Sequence, residues 1–119
     1  MRRHVAYDEM PAVFEGASCF VLASLPTSAW EEQFGMVLAE AGAAGVPIVA
    51  AASGAIPEVL RGAGTTYPAG DWVALAGELR RILGRPPARD RPSEFVETYS
   101  TTAAAARIGA AYDRVLSSR

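Results

Sequence analysis

Two short apolar runs, Cys19-Phe20-Val21-Leu22-Ala23 and Val46-Pro47-Ile48-Val49-Ala50-Ala51, flank a stretch of helical period. No other feature of the chain constrains its fold as tightly. An uninterrupted apolar run without polar alternation is the pattern of a strand covered on both faces, as in parallel sheets. Pro47 lies at a strand entry, where a missing ladder donor is tolerated. Between the runs, Phe34 to Ala44 sets Val37, Ala41 and Ala44 at spacings of four and three, which predicts a helix stopped at Gly45. Strand, helix and strand in that order form a parallel pair joined by a crossover helix.

The remaining segments extend this unit. His4-Val5-Ala6-Tyr7 reads as a short strand, and Asp8 as the N-cap of a helix over Glu9 to Glu15, with Pro11 accommodated in its first turn and Gly16 as its end. Ser24 to Gln33 is a loop. Ser53 to Leu60 is a turn with a short helix, and Thr65-Thr66-Tyr67 a short edge strand closed by Pro68, Ala69 and Gly70. Asp71 caps a helix whose Leu75, Leu79, Ile82 and Leu83 share a face, ending at Gly84. Arg85 to Pro92 is a proline-arginine linker, read as solvated. Thr101 to Leu116 is an alanine-rich helix with Ile108, Tyr112, Val115 and Leu116 on one stripe. The sequence shows no internal repeat. The expected fold class is α/β, a Rossmann-like parallel sheet flanked by helices without a G-x-G-x-x-G loop, in one partial domain over 1–119. Its core is 4–84, its linker 85–92 and its C-terminal helices 93–118.

Composition removes several functions. The 119 residues are 50% hydrophobic and 20% charged, too apolar for a disordered tail and long enough for one packed core. Net charge is −2 and all eleven basic residues are arginine, so there is no basic footprint for nucleic acid, no P-loop lysine and no Schiff-base amine. Cys19 is the only cysteine and His4 the only histidine, which leaves no disulfide framework and no zinc ligand cluster within the chain. Cys19 reads as a small strand hydrophobe. Ser24 lacks both a G-x-S-x-G elbow and a histidine to activate it. Neither an apolar signal segment nor a membrane-spanning run is present, so a cytoplasmic protein is expected, with room for peripheral contact with a membrane through other parts.

Glu32-Gln33-Phe34-Gly35-Met36-Val37-Leu38-Ala39-Glu40 carries the chemistry. The segment begins in a loop and runs into a helix; eight positions are close to two turns and ~12 Å of rise, so Glu32 can stand at the helix mouth and Glu40 along its side. Gly35 admits a close ligand, and the free first-turn amides suit a diphosphate. A carboxylate further along can accept from ribose hydroxyls. The spacing alone equally allows Glu32 as a charge favoured by the helix dipole and Glu40 as a solvated helix residue. Trp30 is a candidate for an acceptor pocket or for partial burial at a domain seam. Ser53-Gly54-Ala55 is a close-approach turn or a plain connection, and Glu58 a surface charge.

Residues 32–49, E-Q-F-G-M-V-L-A-E-A-G-A-A-G-V-P-I-V, resemble the E-x7-E segment and following strand of family-4 (group 1) retaining glycosyltransferases. The resemblance continues through Ser53-Gly54-Ala55-Ile56-Pro57-Glu58-Val59, Gly64 and Pro68-Ala69-Gly70-Asp71. Upstream it takes in Met10-Pro11 and Ala17 to Ser24, so it covers roughly residues 5 to 84. It implies the C-terminal donor-binding lobe of the two-lobed GT-B fold. By the same resemblance Glu32 faces the transferred sugar, backbone amides of Phe34, Gly35, Met36 and Val37 meet sugar and diphosphate, and Glu40 binds the ribose. A nucleotide-diphosphate sugar is then the donor substrate and no metal or other cofactor is expected, since the sequence has no D-x-D pair and helix-end amides can neutralise phosphate.

A complete enzyme of that family has an N-terminal lobe holding the acceptor site, and an Arg and a Lys that grip the diphosphate. Neither is present here; Arg2 and Arg3 lie outside the matching context. The lobe is therefore expected to be incomplete at its N-terminus, to require the missing lobe or a partner subunit, and to be inactive alone. Its acceptor is unknown. An exposed sheet edge and the uncovered stripe of the last helix point to self-association. The alternative function is a noncatalytic Rossmann-like binding or interaction module.

Overall fold

The computed structural model describes residues 4–85, 88–89 and 93–118. Three parallel strands, β1 (Phe20–Leu22), β2 (Ile48–Ala52) and β3 (Thr65–Pro68), lie in the order β1-β2-β3. The helices are α1 (Met10–Gly16), α2 (Met36–Ala43), α3 (Ile56–Leu60), α4 (Trp72–Gly84), α5 (Ser93–Thr98) and α6 (Thr101–Ser117). The expected parallel α/β sheet flanked by helices is what forms.

Strand β2 runs through the centre and is buried on both sides, as its apolar run requires. Ile48 and Ala50 face a core with Phe14, Leu38, Ala41, Ile56 and Leu60, while Val49 and Ala51 face Tyr67 and Ile82. Period-2 alternation thus divides one strand between two helical layers. Asp71 accepts from the amides of Val73 and Ala74 at 3.0 and 2.8 Å and so caps α4 as its sequence predicts. Burial pushes the Cys19 and Tyr67 pKa values up.

Several expectations fail for local reasons. His4 to Ala6 joins no strand; the amide of Glu9 bonds to the Ala6 carbonyl at 3.0 Å and the chain turns through a 3-10 helix over Tyr7–Glu9. That turn satisfies the amides leading into α1, so Asp8 is not its N-cap and α1 has no side-chain cap. Strand β1 is shorter than its apolar run and covered on one face: Phe20 and Leu22 join the core, whereas Val21 is 38% exposed. Helix α4 packs on β2 and β3, which leaves that face of β1 open. On α4 itself Leu83 turns outward and is 57% exposed, beyond the line of Leu75, Leu79 and Ile82.

The linker is not merely solvated. The Arg89 guanidinium donates to the carbonyls of Phe14, Glu15 and Ala17, and so closes the C-terminal end of α1. Arg2, Arg3, Pro86, Pro87 and Asp90 to Pro92 lie outside the described residues.

Candidate functional site

Parallel strands end on the same side of a sheet, so the segments after Leu22, Ala52 and Pro68 gather at one edge. Open α/β sheets bind ligands at that edge. Two close approaches confirm the gathering. Leu25 Cδ2 lies 3.8 Å from the position of a Cβ on Gly70, and the amide of Ala55 donates to the Glu32 carbonyl at 2.9 Å.

Glu32 is fixed by its side chain as well. Its Oε1 accepts from the amide of Gly35 at 3.0 Å, and its Oε2 lies 3.5 Å from the Ser24 hydroxyl, a long contact. Gly35 has φ +66°, so the chain enters α2 through a left-handed residue and the helix begins only at Met36. The ~12 Å helical rise between the two glutamates therefore does not apply; Glu32 precedes the helix and Glu40 belongs to it. The bulkless Gly35 permits this kink because an L side chain strongly disfavours it. Past the kink, the amide of Leu38 bonds to the Gly35 carbonyl at 2.7 Å, while those of Met36 and Val37 have no acceptor among the described residues. Both lie four and five residues beyond Glu32 and open the positive end of α2.

The two glutamates line different clefts. Glu32 borders an open cleft of about 440 Å³ with Trp30, Gln33, Gly54, Ala55 and Glu58. Glu40 is half-buried between two others. One, of about 310 Å³, is walled by Tyr7, Met10, Pro11 and Phe14, and the other, of about 670 Å³, by Phe34, Met36, Tyr99 and Arg107. The Tyr7 hydroxyl stands 3.5 Å from Glu40 Oε1. The ring of Phe34 packs edge-on against Tyr99 with centroids 5.4 Å apart, so this side chain serves packing while its backbone faces the α2 entrance.

Three residues near Glu32 were given less weight by the sequence than the structure gives them. Ser24 meets the carboxylate, Gly54 presses on the Glu32 backbone, and Ser53 is 3% exposed with its hydroxyl unpartnered. The signal for Gly54 was present in Ser53-Gly54-Ala55; the contact that explains it joins positions far apart in the chain. Among the described residues no three His, Cys, Asp or Glu side chains gather as metal ligands would. Among the same residues no helix is long and apolar enough to cross a membrane.

A three-stranded parallel sheet flanked by helices, with a kinked helix entrance and a glutamate at its carboxyl edge, defines a Rossmann-like α/β domain. Residues 2–98 match the family described as "Glycosyl transferases group 1", and the chain belongs to that family. It is 40% identical over 93 residues to the phosphatidyl-myo-inositol mannosyltransferase of Mycobacterium leprae (strain TN), an alignment that takes in 73% of this chain and 25% of that relative. The chain thus spans about a quarter of the length of the relative it matches.

Proposed function

We propose that this chain is the donor-binding lobe of a family-4 retaining glycosyltransferase that takes a glycosyl group from a nucleotide-diphosphate sugar. The observation that carries the reading is the α2 entrance: a held carboxylate, Glu32, followed by the unpartnered amides of Met36 and Val37. In the reaction the bond from the anomeric carbon to the phosphate oxygen breaks and its electron pair leaves with the diphosphate. An acceptor hydroxyl forms the new bond with net retention and gives its proton to the departing phosphate oxygen. The anomeric carbon turns cationic as negative charge grows on the leaving group. Glu32 orients the sugar and stabilises the positive centre, while the amides of Phe34, Met36 and Val37 and the α2 dipole receive the diphosphate charge; the Gly35 amide, expected among them, is held by Glu32 Oε1 instead. Glu40 accepts from the ribose hydroxyls. No metal ion is needed for this division of charge.

Transfer requires an N-terminal lobe or partner subunit for the acceptor, and the isolated chain is expected to bind donor without turning it over. A cytoplasmic setting, with acceptor delivered at a membrane surface, fits the lipid named in its relative. The mannosyl group in that same name makes GDP-mannose the first donor to try. Titrated into the labelled chain, GDP-mannose or UDP-glucose is expected to shift the backbone amides of Met36 and Val37 and the neighbourhood of Glu40. Shifts confined to other surfaces with both donors would reject the reading. Reconstituted with an N-terminal lobe, Glu32→Gln is expected to lower turnover and spare donor binding, because the amide keeps the size and loses the charge. Turnover at the wild-type rate would leave Glu32 as a helix cap only. That outcome favours the second reading, a noncatalytic binding module, for which the Glu32 to Gly35 hydrogen bond is the supporting observation.

A further inference from the structure

From Ala23 to Phe34 the chain leaves β1 and crosses the carboxyl edge of the sheet. Within this stretch the backbone bonds to itself at Thr27 and Trp30. Among the described residues, its single backbone hydrogen bond to a residue outside the loop is Ala55 N–H to the Glu32 carbonyl, at 2.9 Å. The loop is therefore pinned to the sheet at the same residue that carries the candidate carboxylate. The pin is tight. A Cβ built on Gly54 would stand 2.1 Å from the Glu32 carbonyl oxygen, 3.0 Å from its carbon and 3.1 Å from the Glu32 nitrogen. These are backbone atoms, which cannot swing aside as a side-chain tip can. Gly54 also has φ +51°, so both its conformation and its missing side chain are required where it sits.

We propose that Gly54 and the amide of Ala55 are positioning residues for Glu32, holding its backbone against the end of β2 so that its carboxylate stays at the entrance of α2. The functional consequence rests on the reading of Glu32 as the sugar-facing group; the mechanical claim does not. The chain of contacts runs from the 53–55 turn to the Glu32 backbone, then through the Glu32 side chain to the Gly35 amide at 3.0 Å. Gly54 is not among the close neighbours of Gly35, whose surroundings are Leu38 and Leu22 side chains. Protection of the Gly35 amide therefore reports at a distance on whether the turn holds Glu32 in place.

Amide hydrogen exchange on the labelled 119-residue chain tests this. Gly54→Ala is expected to lower protection of the Gly35 amide at least tenfold while the amides of β2 keep theirs. Gly62→Ala is the control, since Gly62 has φ +86° and open space around it, which imposes backbone strain without a clash; Gly35 protection should be unchanged. Ala55→Pro removes the donor at a residue whose φ of −81° is near proline's own, and is expected to act like Gly54→Ala. If Gly54→Ala loses the sheet as well, Ala55→Pro decides. Unchanged Gly35 protection in a folded Gly54→Ala or Ala55→Pro chain overturns the proposal. A GDP-mannose titration separates it from the functional reading: lost Gly35 protection with donor binding and sugar discrimination intact upholds the positioning and removes the sugar role of Glu32.

Discussion

Helices α2 and α6 are both rich in alanine and both place apolar residues at helical spacing, but their surroundings are opposite. Helix α2 buries Leu38, Ala41 and Gly42, lying between β2 and α3 on one side and α5 on the other. Its Gly42 leaves a gap into which the Phe95 ring descends, so that a Cβ there would come 2.1 Å from Phe95 Cε1. Helix α6 buries nothing, and Ile108, Tyr112, Val115 and Leu116 are 58–67% exposed. Its packing partner among the described elements is the short α5. An amphipathic pattern specifies the helix and the face that seeks cover; the cover itself comes from whatever element arrives above it.

Matched substitutions in the two helices test that contrast. Leu38→Ala is expected to cost about 2–5 kcal/mol in urea unfolding, because the cavity forms under a closed layer. Leu116→Ala, measured below the concentration at which the chain associates, should stay within about ±0.5 kcal/mol; equal losses would mean that α6 is packed within the monomer. Next in size is donor recognition. Glu40→Ala is expected to weaken nucleotide-sugar binding by roughly tenfold or more, equivalent to about 1.5–3 kcal/mol for a lost hydrogen bond to a charged group. Asp113→Ala on α6 should leave the titration unchanged, and an unaltered affinity in Glu40→Ala removes the ribose assignment. The glycines then give opposite signs for one chemical change. Gly42→Ala forces Phe95 away and costs about 1–3 kcal/mol, whereas Gly109→Ala meets open space and gains up to about 1 kcal/mol of helix propensity. The last test is of association. The bare stripe of α6 is expected to drive the chain to self-associate at micromolar concentration, and Ile108→Ser with Val115→Ser to restore a monomer by light scattering. A monomeric parent chain would show that the stripe is tolerated in water.

What the sequence disclosed follows the same division. The apolar run at β2 is legible because both its faces are used, and the Asp71 cap because all its partners lie within three residues. The similar run at β1 misleads, since no pattern within Cys19 to Ala23 says which face α4 will miss. His4 to Tyr7 has the apolar content of a strand, but a local 3-10 bond captures the chain first. At the candidate site, Glu32, Gly35 and Glu40 were visible through their spacing and family resemblance. Glu32 was legible as a loop residue ahead of the helix, whereas the left-handed kink at Gly35 that delays the helix to Met36 has no periodic signal. Gly54 and Arg89 act through contacts with Glu32 and with the end of α1, and distant pairs of this kind leave no periodic trace.

The clasp of Arg89 on α1 sets an order of events during folding. It joins residue 89 to Phe14, a separation of 75 residues, and its loop contains all three strands. Ring closure of that length carries a larger entropic cost than the short crossovers between neighbouring strands. The helix in front of β1, seven residues without a side-chain cap, is too short to persist alone, and it acquires its final carbonyl partners only when residue 89 is in place. On a growing chain the Phe14, Glu15 and Ala17 carbonyls lack this partner until the arginine emerges. The cleft beside Glu40, which α1 walls with Met10, Pro11 and Phe14, is accordingly expected to be among the last parts of the molecule to take shape.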